Sequence, residues 1–158
     1  MSVRTQHGSK ATYVKFKLLY ALIALILWVQ TFSQPKGNLF IIGGGDRSQK
    51  LMHTLLATAK LSGKDYIVVL PMATEEPDTA FYYFKISADK LCSNVIANLN
   101  FTEKESNNKQ WLDSVKYARL IFITGGDQSR FMNIVLHTAV QKAIQQAYKN
   151  GATIAGTS

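Results

Sequence analysis

The 158-residue chain has little of what builds disulfide frameworks and metal sites. Cys92 is its only cysteine, so no intrachain disulfide can form. The three histidines, His7, His53 and His137, lie far apart and share no ligand spacing, which argues against a metal site. The basic residues are scattered singly, without a basic run or interleaved aromatic side chains, and this disfavours nucleic-acid binding. We therefore expect no metal, no cofactor and no nucleic-acid partner.

Acidic residues are absent from the start of the chain. Residues 1–17 carry four bases and no acid, and the uncharged run LLYALIALILWV follows at residues 18–29. A basic stretch, an apolar run of this length and a short polar exit predict a secretory signal peptide over residues 1–33, cleaved after Ser33. We expect an exported protein, periplasmic or extracellular. An uncleaved leader that anchors the protein in a membrane is the alternative, although 12 apolar residues fall short of the ~20 that span a bilayer.

The charge balance depends on this leader. The formal net charge is +8, but four of the 18 Lys and Arg residues precede Ser33, so 14 bases face 10 acids in the remainder, a net charge of +4. A mildly basic surface attracts an acidic polymer, and ordinary solvated lysines explain the same balance.

From Asn38 onward, short apolar runs alternate with longer helical patterns. The runs are continuous rather than alternating in polarity, as in strands that helices cover on both faces. Predicted strands span residues 38–42, 66–70, 94–99, 119–124 and 152–155. Predicted helices span residues 49–61, 78–91, 110–118 and 129–149, with caps at Gly63 and at Asn150–Gly151 and a break near His137. This order predicts an α/β fold with a doubly wound, mostly parallel sheet.

In such sheets ligands bind beyond the carboxyl ends of the strands, so the strand exits are the place to look for function. The first exit reads GGGDRS, residues 43–48, in which Gly44 and Gly45 let the backbone present amides to a ligand. Ser48 stands where a dinucleotide fingerprint needs its third glycine, and the second strand ends without an acid, which disfavours nicotinamide or flavin binding. The alternative is a plain strand-to-helix turn capped by Asp46 or Ser48.

The second exit, after the run 119–124, is Gly125-Gly126-Asp127-Gln128. Its glycine amides are suited to an oxyanion and its glutamine side chain to a polar substrate group, while the alternative is a turn in which Asp127 caps the next helix.

The third exit is Gly156-Thr157-Ser158. A strand from Ala152 to Ala155 that enters a tight turn through Gly156 and Thr157 would present Ser158 as a nucleophilic serine.

Taken in order, GNLFIIGGGD, VVLPMATEEP, LIFITGGDQSR and GATIAGTS resemble the first half of the cyanophycinase branch of the cyanophycinase and dipeptidase E serine peptidases. The resemblance implies a fold similar to class I glutamine amidotransferases and a Gly-Thr-Ser-Ala-Gly elbow with Ser158 as the nucleophile. It also implies that Gly125 and Gly126 help to build the oxyanion site and that Gln128 faces the substrate. The activity it implies is hydrolysis of cyanophycin, multi-L-arginyl-poly-L-aspartate, to β-aspartyl-arginine dipeptides.

The same resemblance places the family's catalytic histidine and acid after the serine, and neither His53 nor His137 matches that histidine. We therefore expect residues 34–158 to be the N-terminal part of a longer peptidase domain, inactive alone because a serine needs a base to become a good nucleophile. An aspartyl dipeptidase, a non-catalytic ligand-binding α/β module and a nucleotide-binding α/β protein remain alternatives. A homodimer also stays open.

Overall fold

A computed structural model describes Lys17, Tyr20 and residues 36–158 of the chain. The chain divides into two compact units, Met1–Gln34 and Pro35–Ser158. Apart from Lys17 and Tyr20, the predicted signal peptide lies outside the described residues. None of the helices in the described part has the length and apolar character that crossing a membrane requires.

The second unit is built on one parallel sheet of five strands. The strands are β1 (Asn38–Ile42), β2 (Tyr66–Leu70), β3 (Val95–Asn98), β4 (Leu120–Ile123) and β5 (Thr153–Thr157). Their order across the sheet is β1-β5-β4-β2-β3, and every neighbouring pair is parallel. The predicted α/β fold and all five predicted strands are confirmed, and the last strand in sequence lies between β1 and β4.

Five helices connect the strands. They are α1 (Gln49–Ala59), α2 (Pro77–Ala88), α3 (Lys109–Lys116), α4 (Gln128–Val135) and α5 (Ala139–Lys149). The predicted break near His137 is confirmed, because this residue has a left-handed φ of 62° and separates α4 from α5. Ser48 caps α1 by accepting a hydrogen bond from the Leu51 amide at 3.2 Å.

Two local predictions are wrong. Helix α1 ends at Lys60 rather than at Gly63, because Lys60 adopts a left-handed conformation (φ 51°) and its amide closes the helix on the carbonyls of Leu56 and Ala57. The predicted tight turn through Gly156 and Thr157 is instead the end of β5.

Strand pairing explains the second error. Gly156 pairs with residues of both neighbouring strands, and Thr157 pairs with Ile42 of β1. The Ser158 amide then donates to the Ile42 carbonyl at 3.2 Å, so the ladder of hydrogen bonds extends through the last residue. Since neighbours on both sides satisfy this backbone, it stays extended.

The sheet is covered on both faces, as the apolar runs predict. One core layer lies under α1 and α2 and contains Met52, Leu55, Phe84 and Phe122. The rings of Phe84 and Phe122 stack with centroids 4.3 Å apart, and both side chains are fully buried. The other core layer lies under α3, α4 and α5. Removal of either aromatic ring would leave a cavity against the sheet.

We predict that Phe84→Ala lowers the free energy of unfolding by about 3 to 5 kcal/mol, the usual cost of removing a buried ring. Tyr82→Ala is the matched control, because Tyr82 lies on the same helix with 58% of its surface exposed. Its loss should cost about 1 kcal/mol or less. Urea unfolding followed by circular dichroism measures both, and equal losses would contradict the described packing of α2.

Candidate active site

Ser158 lies at the edge of the sheet where the two glycine exits meet. All five strands are parallel, so their carboxyl ends share one edge, and β5 reaches that edge between β1 and β4. The exit of β1 is therefore on one side of Ser158 and the exit of β4 on the other. The structure brings together three exits, the first and last of which lie more than 100 residues apart in the sequence.

Gly125 is in close contact with the main chain of Ser158. A Cβ atom at Gly125 would lie 2.6 Å from the Ser158 carbonyl oxygen and 2.8 Å from its carbon. On the other side, a Cβ atom at Gly44 would lie 4.0 Å from the same oxygen, which is ordinary contact. A side chain at Gly125 would therefore clash with the Ser158 main chain, whereas one at Gly44 would not.

Gly126 and Asp127 fix the β4 exit onto the β2 exit. Gly126 has a φ of 138°, and a Cβ atom there would lie 2.3 Å from the Ala73 carbonyl oxygen. The Asp127 amide donates to that same oxygen at 2.8 Å, and its carboxylate accepts from the Ser129 amide at 2.7 Å. Asp127 is thus the N-cap of α4, the alternative that the sequence left open.

Four glycine amides at this edge remain available for a ligand. The backbone N–H groups of Gly44, Gly45, Gly125 and Gly126 donate to no other described residue. Gln128 follows as the first residue of α4, and its side chain is exposed. These are the donor types that stabilise an oxyanion and orient a polar group, at the positions predicted from sequence. Which role each of them has in a reaction stays a prediction.

No side chain in the described part of the chain makes a hydrogen bond with the Ser158 hydroxyl. His53 is exposed on α1, and His137 is exposed between α4 and α5, where its amide donates to the Gln141 side chain. Neither histidine has a described contact with Ser158. Among the described residues, no three His, Cys, Asp or Glu side chains are grouped as a metal site would require.

Sequence reasoning missed an acidic segment at the β2 exit. Glu75 accepts from Arg130 of α4 at 2.7 Å, and Asp78 accepts from Asn98 at the end of β3 at 3.3 Å. Glu76 lies between them and begins α2 as its cap residue. The run TEEPD, which follows a predicted buried strand after the short segment Pro71-Met72-Ala73, was the signal that could have identified these carboxylates.

Arg47, in the β1 exit, is partly withdrawn from solvent. Its guanidinium lies over the ring of Phe122, 5.5 Å from the ring centroid, and its Nε atom is buried without a hydrogen-bond partner. Burial lowers the pKa of Arg47, and the neighbouring Asp46 partly offsets that effect. The glycine loop therefore carries a cation that points back towards the sheet rather than out to water.

Comparison with known proteins places this arrangement in a family. Residues 39–158 match the family described as peptidase family S51. The chain belongs to peptidase family S51. This membership confirms the resemblance to the cyanophycinase and dipeptidase E group, and it supports a peptidase, that is, a hydrolase.

Two curated relatives are cyanophycinases, from Trichormus variabilis and from a Nostoc species. Each is 28% identical to this chain over 137 residues, which is 84% of this chain and 46% of the relative. The chain thus spans about half the length of the curated relatives it matches.

Solved structures support the same α/β fold. A peptidase from an acI-B1 Actinobacterium matches with a TM-score of 0.64 and 21% identity, over 81% of this chain and 57% of its own. A protein from Listeria monocytogenes named for peptidase E matches with a TM-score of 0.59 and 16% identity, over 78% of this chain and 59% of its own. At these identities the likeness establishes the fold alone.

We predict that Gly125→Ala destabilises the protein by about 1 to 3 kcal/mol, because the new methyl group overlaps the Ser158 main chain. Gly43→Ala is the matched control, since a Cβ atom there meets nothing within 4 Å. It should change stability by less than about 0.5 kcal/mol. Thermal unfolding measures the difference, and equal effects of the two alanines would show that Gly125 does not contact Ser158 in solution.

Proposed function

We propose that a protein containing this chain is a serine peptidase that hydrolyses cyanophycin to β-aspartyl-arginine dipeptides. The observation that carries the proposal is the position of Ser158 between two loops in which the amides of Gly44, Gly45, Gly125 and Gly126 have no described partner. The 28% identity to two cyanophycinases supports the choice of substrate.

In this mechanism the Ser158 hydroxyl attacks the scissile carbonyl carbon and gives its proton to a base. The carbonyl oxygen becomes an oxyanion, which the Gly125 and Gly126 amides stabilise. The amine then leaves with a proton from the protonated base, and water hydrolyses the acyl-serine. Because no described residue supplies that base, the 158-residue chain alone should be inactive.

The charges at the strand-exit edge favour a substrate that bears arginine. Glu75, Glu76 and Asp78 lie together at the β2 exit, and only Glu75 among them is paired with a described base. Guanidinium groups bind carboxylates through paired hydrogen bonds, so an arginine side chain of the polymer suits this segment. Gln128, exposed at the start of α4, adds an amide that can orient the substrate backbone.

An aspartyl dipeptidase uses the same kind of serine and the same oxyanion geometry. The Gly-Gly-Asp-Gln sequence at residues 125–128 and the cyanophycinase relatives favour the polymer substrate over short aspartyl peptides. The two activities separate in one assay, because a dipeptidase releases free aspartate from small peptides and leaves cyanophycin intact.

The decisive experiment begins with the source DNA, read through and past codon 158. The encoded protein is then assayed for release of β-aspartyl-arginine from cyanophycin and of aspartate from Asp-X dipeptides.

We predict that Ser158→Ala lowers kcat by a factor of about 10³ or more with little change in KM, as for other serine nucleophiles. Ser93→Ala, at an exposed serine with no described hydrogen bond, is the control. Full activity in Ser158→Ala would exclude this serine as the nucleophile.

We also propose that residues 1–33 direct export. The basic start and the apolar run at residues 18–29 support this proposal. A fusion of residues 1–40 to a periplasmic reporter enzyme should be active, and N-terminal sequencing should begin after Ser33. Replacing two leucines of the run by arginine should abolish the signal, because charge in the apolar stretch blocks insertion. A reporter that stays inactive with the natural leader would overturn export.

A further inference from the structure

A small polar cavity lies on the α1 and α2 face of the sheet. Its volume is about 180 Å³, and it is lined by Arg47, Gln49, Met52, Ser87 and Lys90. Two of these side chains are cations and none is an acid. The charged residues of its lining are therefore cations, in contrast to the acidic segment at the β2 exit.

Arg47 is the residue that marks this cavity as a site. Its buried Nε–H has no acceptor, and Arg47 makes no ion pair with any described residue. A guanidinium cannot lose its proton in a protein, so Arg47 stays charged although burial lowers its pKa. A partly buried cation with an unused donor costs free energy unless an acceptor joins it.

Two neighbouring features favour an anion as that acceptor. Gln49 is the first residue of α1, whose first turn contains no acid to occupy the positive end of the helix. Thr124 follows β4, and the alternation of strand residues puts it on the same face of the sheet as Phe122, the residue whose ring lies under the Arg47 guanidinium. The Thr124 hydroxyl is 4% exposed at the residue level and has no hydrogen-bond partner. One face of the sheet thus holds two unpartnered polar groups.

We propose that this cavity binds the carboxylate of a small acidic ligand, with Arg47 as the principal contact and Lys90 as the second charge. The volume holds about six water molecules at ~30 Å³ each, which suits a mono- or dicarboxylate. A planar carboxylate also matches the planar donors of arginine. The site does not depend on Ser158 being a nucleophile.

Phosphate shares the oxyanion chemistry, but the local backbone favours a carboxylate. Phosphate sites at helix starts use several free amides of the first turn. Here the Leu51 amide is already bonded to the Ser48 hydroxyl at 3.2 Å, so the cavity relies on side-chain cations instead. Acetate, succinate and inorganic phosphate are therefore the three ligands whose binding distinguishes a carboxylate site from a phosphate site.

The test uses the full 158-residue chain and calorimetric titration with each probe. We expect succinate to bind the unmodified protein more tightly than phosphate does. Arg47→Gln should weaken succinate binding at least tenfold, and Lys90→Gln several-fold. Lys142→Gln is the matched control, because it removes the same charge from an exposed position on α5, on the other face of the sheet. Its binding should match that of the unmodified protein.

A second measurement covers the case in which Arg47→Gln does not fold. In the NMR spectrum of the unmodified protein, succinate should shift the Arg47 Nε–H signal, and Lys90→Gln should require more succinate for the same shift. Unchanged binding in both cavity variants, an equal loss in Lys142→Gln, or a preference for phosphate would each overturn the proposal. Ser158→Ala should keep full succinate binding, so failure of the peptidase proposal and failure of this one are distinguishable.

Discussion

The hydrogen-bonded ladder that holds β5 between β1 and β4 is the constraint on which the site depends. Ile42 pairs with Thr157 on one side and Ile123 with Gly156 on the other, so the register fixes where the strand ends. A shift of one residue in either pairing would turn every side chain of β5 to the opposite face of the sheet. The position of Ser158 is therefore set by backbone pairing along the whole strand rather than by contacts of its own side chain.

Two glycines allow the strand exits to pack closely together at this edge of the sheet. Gly125 lets the β4 exit touch the Ser158 main chain, and Gly126 lets the same exit touch Ala73 of the β2 exit. The left-handed φ of Gly126 also frees its amide from the sheet while the next amide, of Asp127, bonds to Ala73. Because Gly126 is exposed, its amide is accessible to a ligand, and a bound oxyanion is the partner that we propose for it.

Much of this architecture follows from the sequence, because continuous apolar runs and helical periodicity are local signals. All five strands, the helix break near His137 and the gathering of the glycine exits at one edge were predictable in this way. The two errors have different causes, one local and one tertiary. Lys60 ends α1 because a left-handed lysine closes the helix before Gly63 is reached. Gly156 and Thr157 are extended because they pair with neighbouring strands, and a local sequence pattern carries no information about that pairing.

The local distribution of charged side chains differs from what the overall composition indicates. A net charge of +4 after Ser33 is explained equally by an acidic partner and by ordinary solvated lysines, yet the structure groups some charges locally. Carboxylates gather at the β2 exit, while Arg47 and Lys90 line a cavity under α1 and α2. No spacing in the sequence brings Arg47 to Lys90, because their approach depends on how the two helices pack on the sheet. A ligand that carries both a guanidinium and a carboxylate would contact the two regions separately. The net charge of the chain reveals neither the acidic segment nor the cationic cavity.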